Sequence, residues 1–233
     1  VSSEDAKKRV LRLGEDPSFV FNSGCPSIDI AKSIIKTNLE FDPYSIYGGV
    51  GHKPDLSKGF IVAMQHPVTN EYSLSRDHIT QTLNVVEDLG LPCLWFWPNI
   101  DAGADGTSTG IRHFRETKKA KNMHFFKNMR PRDFLSILYH SDCLVGNSSV
   151  GIRECSYLGV PVVNIGSRQN GRIRGINVID VKNDNNSIKA AIKKQIQIKR
   201  YEQDFTYGHA NAGVKIANLI ATKDIPFHKK INY

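Results

Sequence analysis

Short, almost wholly apolar runs recur along the chain, each bounded by turn residues: FIVAMQH (60–66), CLWFW (93–97), MHFF (123–126), CLVGN (143–147), VPVVNIG (160–166) and NVIDV (177–181). Continuous rather than alternating hydrophobicity over four to seven residues marks strands buried on both faces. Between the runs lie helical stretches, SRDHITQTLNVVEDLG (75–90), TGIRHFRETKKAKN (109–122), RPRDFLSILYHSD (130–142), SSVGIRECSYLG (148–159) and NSIKAAIKKQIQIKRY (186–201). Several begin near Ser, Thr or Asn and end near Gly or Asn, as capped helices do. This alternation predicts an α/β fold, a doubly wound parallel sheet of Rossmann-like type with helices on both faces. FVFNSG (19–24) reads as a further strand of the same sheet, with PSIDIAKSII (26–35) as its helix. Residues 40–59, rich in Gly, Pro and Asp, read as a loop, and YGHANAGVKIANLI (207–220) as a turn followed by a terminal helix.

Such a sheet binds ligands outside the carboxyl ends of its strands. Four polar loops follow strands there: QHPVTNE (65–71), PNIDAG (98–103), GNSSVGIRE (146–154) and GSRQNGR (166–172). In the third, a strand-to-helix turn carries Ser148, Ser149 and Glu154. Its backbone amides, hydroxyls and helix dipole make an anion site, while Glu154 suits the two hydroxyls of a ribose. A helix cap by Ser148 or Ser149 explains the same serines locally. Arg168 in the fourth loop offers charge-assisted contact to a diphosphate, with Arg172 beside it. His66 is placed to donate to a phosphate or to act as acid or base near neutral pH, and Asn99 and Asp101 follow the second strand. Arg112 and Arg115, spaced i, i+3, share a helix face.

Composition narrows the class. The 233 residues are 40% hydrophobic and 23% charged, an ordinary globular balance. No apolar run reaches membrane-span length and no signal peptide opens the chain, so a cytoplasmic protein with no membrane partner is expected, one that lacks its natural beginning. The net charge of +8 invites anionic partners. Its lysines, however, are scattered in pairs along helix faces without interleaved aromatics, which points to solvated surface rather than to nucleic acid. Cys25, Cys93, Cys143 and Cys155 are widely spaced within apolar or small-residue runs, as buried free thiols are. No metal pair such as HExxH, no nucleophile elbow and no P-loop occurs in the sequence, so neither metal nor cofactor is expected.

Taken in order, QHPVT, FWPNIDAG, IRHFRE, GNSSVGIRE, GVPVVNIGSRQ and YGHANA resemble the C-terminal half of the UDP-N-acetylglucosamine 2-epimerase family, in particular its hydrolysing branch. The resemblance implies the second domain of a GT-B-type two-domain enzyme. Residues 1–20 would be an interdomain segment trailing from a missing N-terminal domain, 21–205 the UDP-binding domain, and 206–233 a helix and tail packing towards the absent half. It further implies UDP-GlcNAc or a related UDP-sugar as ligand, a homo-oligomer, Ser148, Ser149, Arg168 and Asn99 on UDP, Glu154 on ribose and His66 as phosphate contact or catalytic participant. Arg112 and Arg115 match a region tied to feedback inhibition in animal relatives. The first loop, QHPVTNE, differs from the Gly-His-Arg-Arg-Glu-Asn string of the non-hydrolysing branch, so the implied products are N-acetylmannosamine and UDP for sialic or nonulosonic acid synthesis. A hydrolysing enzyme for a UDP-diacetamido-trideoxy sugar, a non-hydrolysing epimerase, a GT-B glycosyltransferase and a basic nucleic-acid-binding domain are the rivals.

Overall fold

The structure, a computed structural model, describes residues 1–224. Residues 225–233, the end of the expected tail segment, lie outside it.

In chain order the elements are α1 (Glu4–Arg12), α2 (Pro26–Lys32), α3 (Pro43–Tyr47), β1 (Val50–Gly51), β2 (Ile61–Met64), α4 (Ser75–Leu89), β3 (Cys93–Phe96), α5 (Ala104–Lys118), β4 (Met123–Phe126), α6 (Pro131–His140), β5 (Cys143–Gly146), α7 (Ser149–Ile152), α8 (Glu154–Leu158), β6 (Val162–Ile165), β7 (Val178–Val181), α9 (Asn185–Gln195) and α10 (Ala212–Thr222). The sheet runs β1-β4-β3-β2-β5-β6-β7. All six apolar runs form strands, and every pairing among them is parallel. Counted from β2, these six strands lie in the order 3-2-1-4-5-6, the dinucleotide-binding order whose switch point falls between β2 and β5.

The strands alternate their side chains between two cores. Ile61, Ala63, Trp95, Val145 and Val163 meet Ile79 and Leu83 of α4, Ile111 and Phe114 of α5, and Ile188 and Ile192 of α9. Val62, Leu94, Phe96, Leu144 and Val162 face Ile28 of α2, Leu135 and Leu138 of α6, Ile152 of α7 and Leu158 of α8. Both faces are therefore dry, which is why the strands read as unbroken apolar runs. All four cysteines are buried free thiols. Burial pushes the Cys93 and Cys143 thiols far above their ordinary range, leaving them inert as nucleophiles.

Two expectations are corrected. Residues 19–24 do not join the sheet. Their backbone is engaged elsewhere, with Ser23 N–H donating to the Val1 carbonyl (3.1 Å) and the neighbouring Cys25 N–H to the Tyr207 carbonyl (2.8 Å). The apolar residues there pack against chain ends instead of strands. Residues 40–59 are not simply a loop: they hold α3, capped by Asp42, and β1, which pairs antiparallel with β4. The buried His124 ring holds this edge, its nitrogens 2.9 and 2.7 Å from the carbonyl oxygens of His52 and Gly48. The sheet is thus parallel with one short antiparallel edge. Among the described residues no helix is long and apolar enough to cross a membrane.

Candidate functional site

The switch point between β2 and β5 organises the site. Gly146 ends β5 with φ +138°, and a Cβ there would run into the Met64 carbonyl of β2. Glycine alone lets the two central strands approach this closely. The next residue, Asn147, is buried and locks the two loops together. Its Oδ1 accepts from the His66 N–H at 2.7 Å and its Nδ2 donates to the His66 carbonyl at 2.9 Å.

His66, 5% exposed, is fixed further by the loop after β3: the Asn99 N–H donates to its Nδ1 at 3.0 Å. Nδ1 is then an acceptor, so the neutral ring carries its proton on Nε2, which makes no hydrogen bond among the described residues. Burial, reinforced by the Arg168 charge and partly offset by Asp101, pushes the His66 pKa down to about 4. Near neutral pH this imidazole is a hydrogen-bond donor rather than a charged group or a ready base. Because the unfolded chain takes up this proton near pH 6.5, the neutral folded form is favoured above that pH. This stabilisation, up to about 3 kcal/mol, is lost as pH falls from about 6.5 towards 4. An imidazole NMR titration is expected to place the His66 midpoint below pH 5, and His66→Phe should flatten that segment of the stability curve.

The expected helix 148–159 is broken. Arg153, with φ −104° and ψ −71°, separates the four-residue α7 from the five-residue α8. So short a helix carries little dipole, and the anion chemistry rests instead on side chains. Ser148 does cap α7, its Oγ accepting from Val150 N–H at a long 3.4 Å. The Oγ of Ser149 accepts from Arg153 Nη2 at 3.1 Å. Each half-buried hydroxyl has thus used acceptor capacity and keeps its O–H to donate, the polarity an anion requires. Glu154 is 6% exposed, and its Oε2 has no hydrogen-bond partner among the described residues. A buried carboxylate oxygen without a donor is costly, and a ligand hydroxyl would relieve it.

The loop after β6 brings Arg168 to the same edge. Its Nη2 meets Asp101 Oδ2 at 3.0 Å, and its Nη1 reaches the Asn147 carbonyl at 3.4 Å, an oxygen that also accepts from Gln169 Nε2 at 2.8 Å. The neighbouring Ser167 hydroxyl donates to Glu71 of the first loop. Hydrogen bonds therefore link the loops after β2, β3, β5 and β6, placing His66, Asn99, Ser148, Ser149 and Arg168 around one crevice. Glu154 reaches it through Arg153. The side chain of Asn99 is exposed, and its one described contact here is through the backbone.

Arg112 and Arg115 do not join this cluster. Arg112 lies over the Trp97 ring (5.8 Å) and Arg115 over Phe125 (5.5 Å). Arg115 also lines a separate cavity of about 280 Å³ with His52, Lys119 and Lys121. Arg172 keeps its backbone N–H on the Gln169 carbonyl at 3.3 Å. Sequence reasoning gave no role to Asn147 as the bolt between loops, to Asp101 as partner of Arg168, or to Arg153. The Gly-Asn-Ser string after a strand was the available signal for the first. Among the described residues no group of three or more His, Cys, Asp or Glu is placed to hold a metal ion.

Comparison with known proteins agrees with this geometry. The sequence model of the UDP-N-acetylglucosamine 2-epimerase family matches residues 1–221. The polysialic acid biosynthesis protein P7 of Escherichia coli is 33% identical over 196 residues, covering 82% of this chain and 47% of that protein. The hydrolysing UDP-N,N'-diacetylbacillosamine 2-epimerase of Legionella pneumophila is 28% identical over 232 residues, covering 99% of this chain and 58% of that one. The chain thus spans about half the length of these curated relatives. The fold matches the structure of Methanocaldococcus jannaschii UDP-GlcNAc 2-epimerase in complex with UDP-GlcNAc and UDP, at TM-score 0.72 and 14% identity over 96% of this chain and 60% of that one. Six ordered motifs, a switch-point crevice and a match across residues 1–221 lead to one conclusion: the chain belongs to the UDP-N-acetylglucosamine 2-epimerase family.

Proposed function

We propose that this chain is the UDP-sugar-binding C-terminal part of a hydrolysing UDP-N-acetylglucosamine 2-epimerase, the second domain of a GT-B-type pair. The observation that carries the assignment is the convergence, at the switch point, of hydroxyl donors, Arg168 and a neutral imidazole N–H beside a buried carboxylate oxygen that lacks a donor. Ser148, Ser149 and Arg168 hold the diphosphate, with His66 Nε2–H donating to it and the exposed Asn99 side chain lining the cleft. Glu154 accepts the ribose hydroxyls. Residues 1–20 form the interdomain segment, 21–205 the binding domain, and 206–233 the return towards the absent half.

In the reaction, a base removes the proton at C2 as the C1–O bond to UDP breaks, leaving a C1=C2 double bond. Water then adds at C1 and a proton returns to C2 on the opposite face, giving N-acetylmannosamine and free UDP. Negative charge grows on the β-phosphate as C1–O breaks, and Arg168, the serine hydroxyls and His66 N–H are aimed to stabilise it. With Nδ1 engaged and a pKa near 4, His66 suits leaving-group stabilisation better than proton abstraction. The base therefore comes from the missing half.

The QHPVTNE loop and the hydrolysing relative support hydrolysis over simple epimerisation. That same relative's name favours, as a second reading, a UDP-diacetamido sugar as substrate. Radiolabelled UDP-GlcNAc incubated with the 233-residue chain should bind but release no free N-acetylmannosamine. Steady release from this chain alone would remove the assignment of the base to the other half.

A further inference from the structure

The serine loop contains one cation with no role in the assignment above. Arg153 stands at the break between α7 and α8, and its guanidinium lies between the two ends of the putative-free crevice floor formed by Ser149 and Glu154. On one side Nη2 donates to Ser149 Oγ at 3.1 Å, while on the other Nε lies 3.6 Å from Glu154 Oε2. That second distance is an ion pair but exceeds a good hydrogen bond. Arg153 Nε and Glu154 Oε2 are both buried without partners. Two complementary groups so close, and still unsatisfied, are held just short of each other by the backbone break.

A guanidinium is planar, with five donors in a fixed fork, so fixing one end fixes the other. Here one rigid group connects the hydroxyl assigned to phosphate with the carboxylate assigned to ribose. By filling an acceptor site on Ser149 it turns that O–H outward as a donor. Its positive charge also offsets the Glu154 carboxylate, which would otherwise repel an incoming diphosphate. Building on the UDP assignment, we infer that Arg153 is a positioning residue that couples the phosphate and ribose subsites, so that each half of the nucleotide binds to a site ordered for the other.

The test is a double-mutant cycle on the 233-residue chain, with Arg153→Gln, Ser149→Ala and the double variant titrated with UDP by calorimetry. Each single change is expected to weaken UDP binding about ten-fold or more, and the double variant no more than about three-fold beyond the worse single. Arg153→Lys keeps the charge but loses the fork, and it should still weaken UDP about five-fold or more. Multiplicative losses in the cycle, or wild-type affinity in Arg153→Lys, overturn the inference. Should Arg153→Gln fail to fold, as judged by its melting curve, the lysine variant carries the cycle. If the wild-type chain itself does not bind UDP, the site assignment falls, and this inference with it.

Discussion

Arg168→Ala is expected to weaken UDP binding by about 30- to 150-fold, the loss of about 2–3 kcal/mol that accompanies removal of a charge-assisted contact to phosphate. Arg168 is held by Asp101 at 3.0 Å and by the Asn147 carbonyl, so its guanidinium is already oriented and little ordering cost offsets the contact. Glu154→Ala should act at the other end of the ligand. It should weaken uridine and UDP alike, whereas Arg168→Ala should spare uridine. Isothermal titration with the two ligands checks the split. A uniform loss of both ligands in both variants would mean that the two residues serve the fold and not separate parts of one nucleotide.

Gly146→Ala is expected to destabilise the folded chain by about 3–5 kcal/mol, lowering the melting temperature by about 10 °C or more. Its φ of +138° is closed to side chains, and the added methyl would meet the Met64 carbonyl where β2 and β5 run side by side. Any relief requires the central strands to part, which breaks the bonds from Asn147 to His66 at 2.7 and 2.9 Å. The variant should therefore lose UDP binding along with stability. Thermal unfolding monitored by circular dichroism measures the first effect. A melting temperature within a degree or two of wild type would show that the strand ends have room to open.

The sheet was legible because both of its faces are buried. Ile61 and Ala63 serve one core while Val62 serves the other, leaving no polar alternation to confuse the pattern. The crevice was legible because a doubly wound order forces the loops after β2, β3, β5 and β6 to one edge, so Ser148, Arg168 and His66 could be grouped without coordinates. Elements set by distant contacts were not legible. β1 and α3 arise in a Gly- and Pro-rich stretch because the His124 ring and Tyr44 hold them to β4, and local propensity gives no hint of that. FVFNSG has strand-like composition, but its backbone partners are Val1 and, at Cys25, Tyr207. The break at Arg153 was hidden by a run of good helix residues. The pairing of Asp101 with Arg168 spans 67 positions, beyond the reach of any local pattern.

The central claim, that one nucleotide diphosphate lies across the β2–β5 switch point, is tested most directly by an amide- and imidazole-resolved NMR titration of the chain with UDP. Saturable shifts are predicted at residues 66, 99–101, 147–154 and 167–169, with the His66 midpoint rising from about 4 as the phosphate charge arrives beside it. Shifts confined to the basic face around Arg115 and Lys119, or none that saturate, would contradict it.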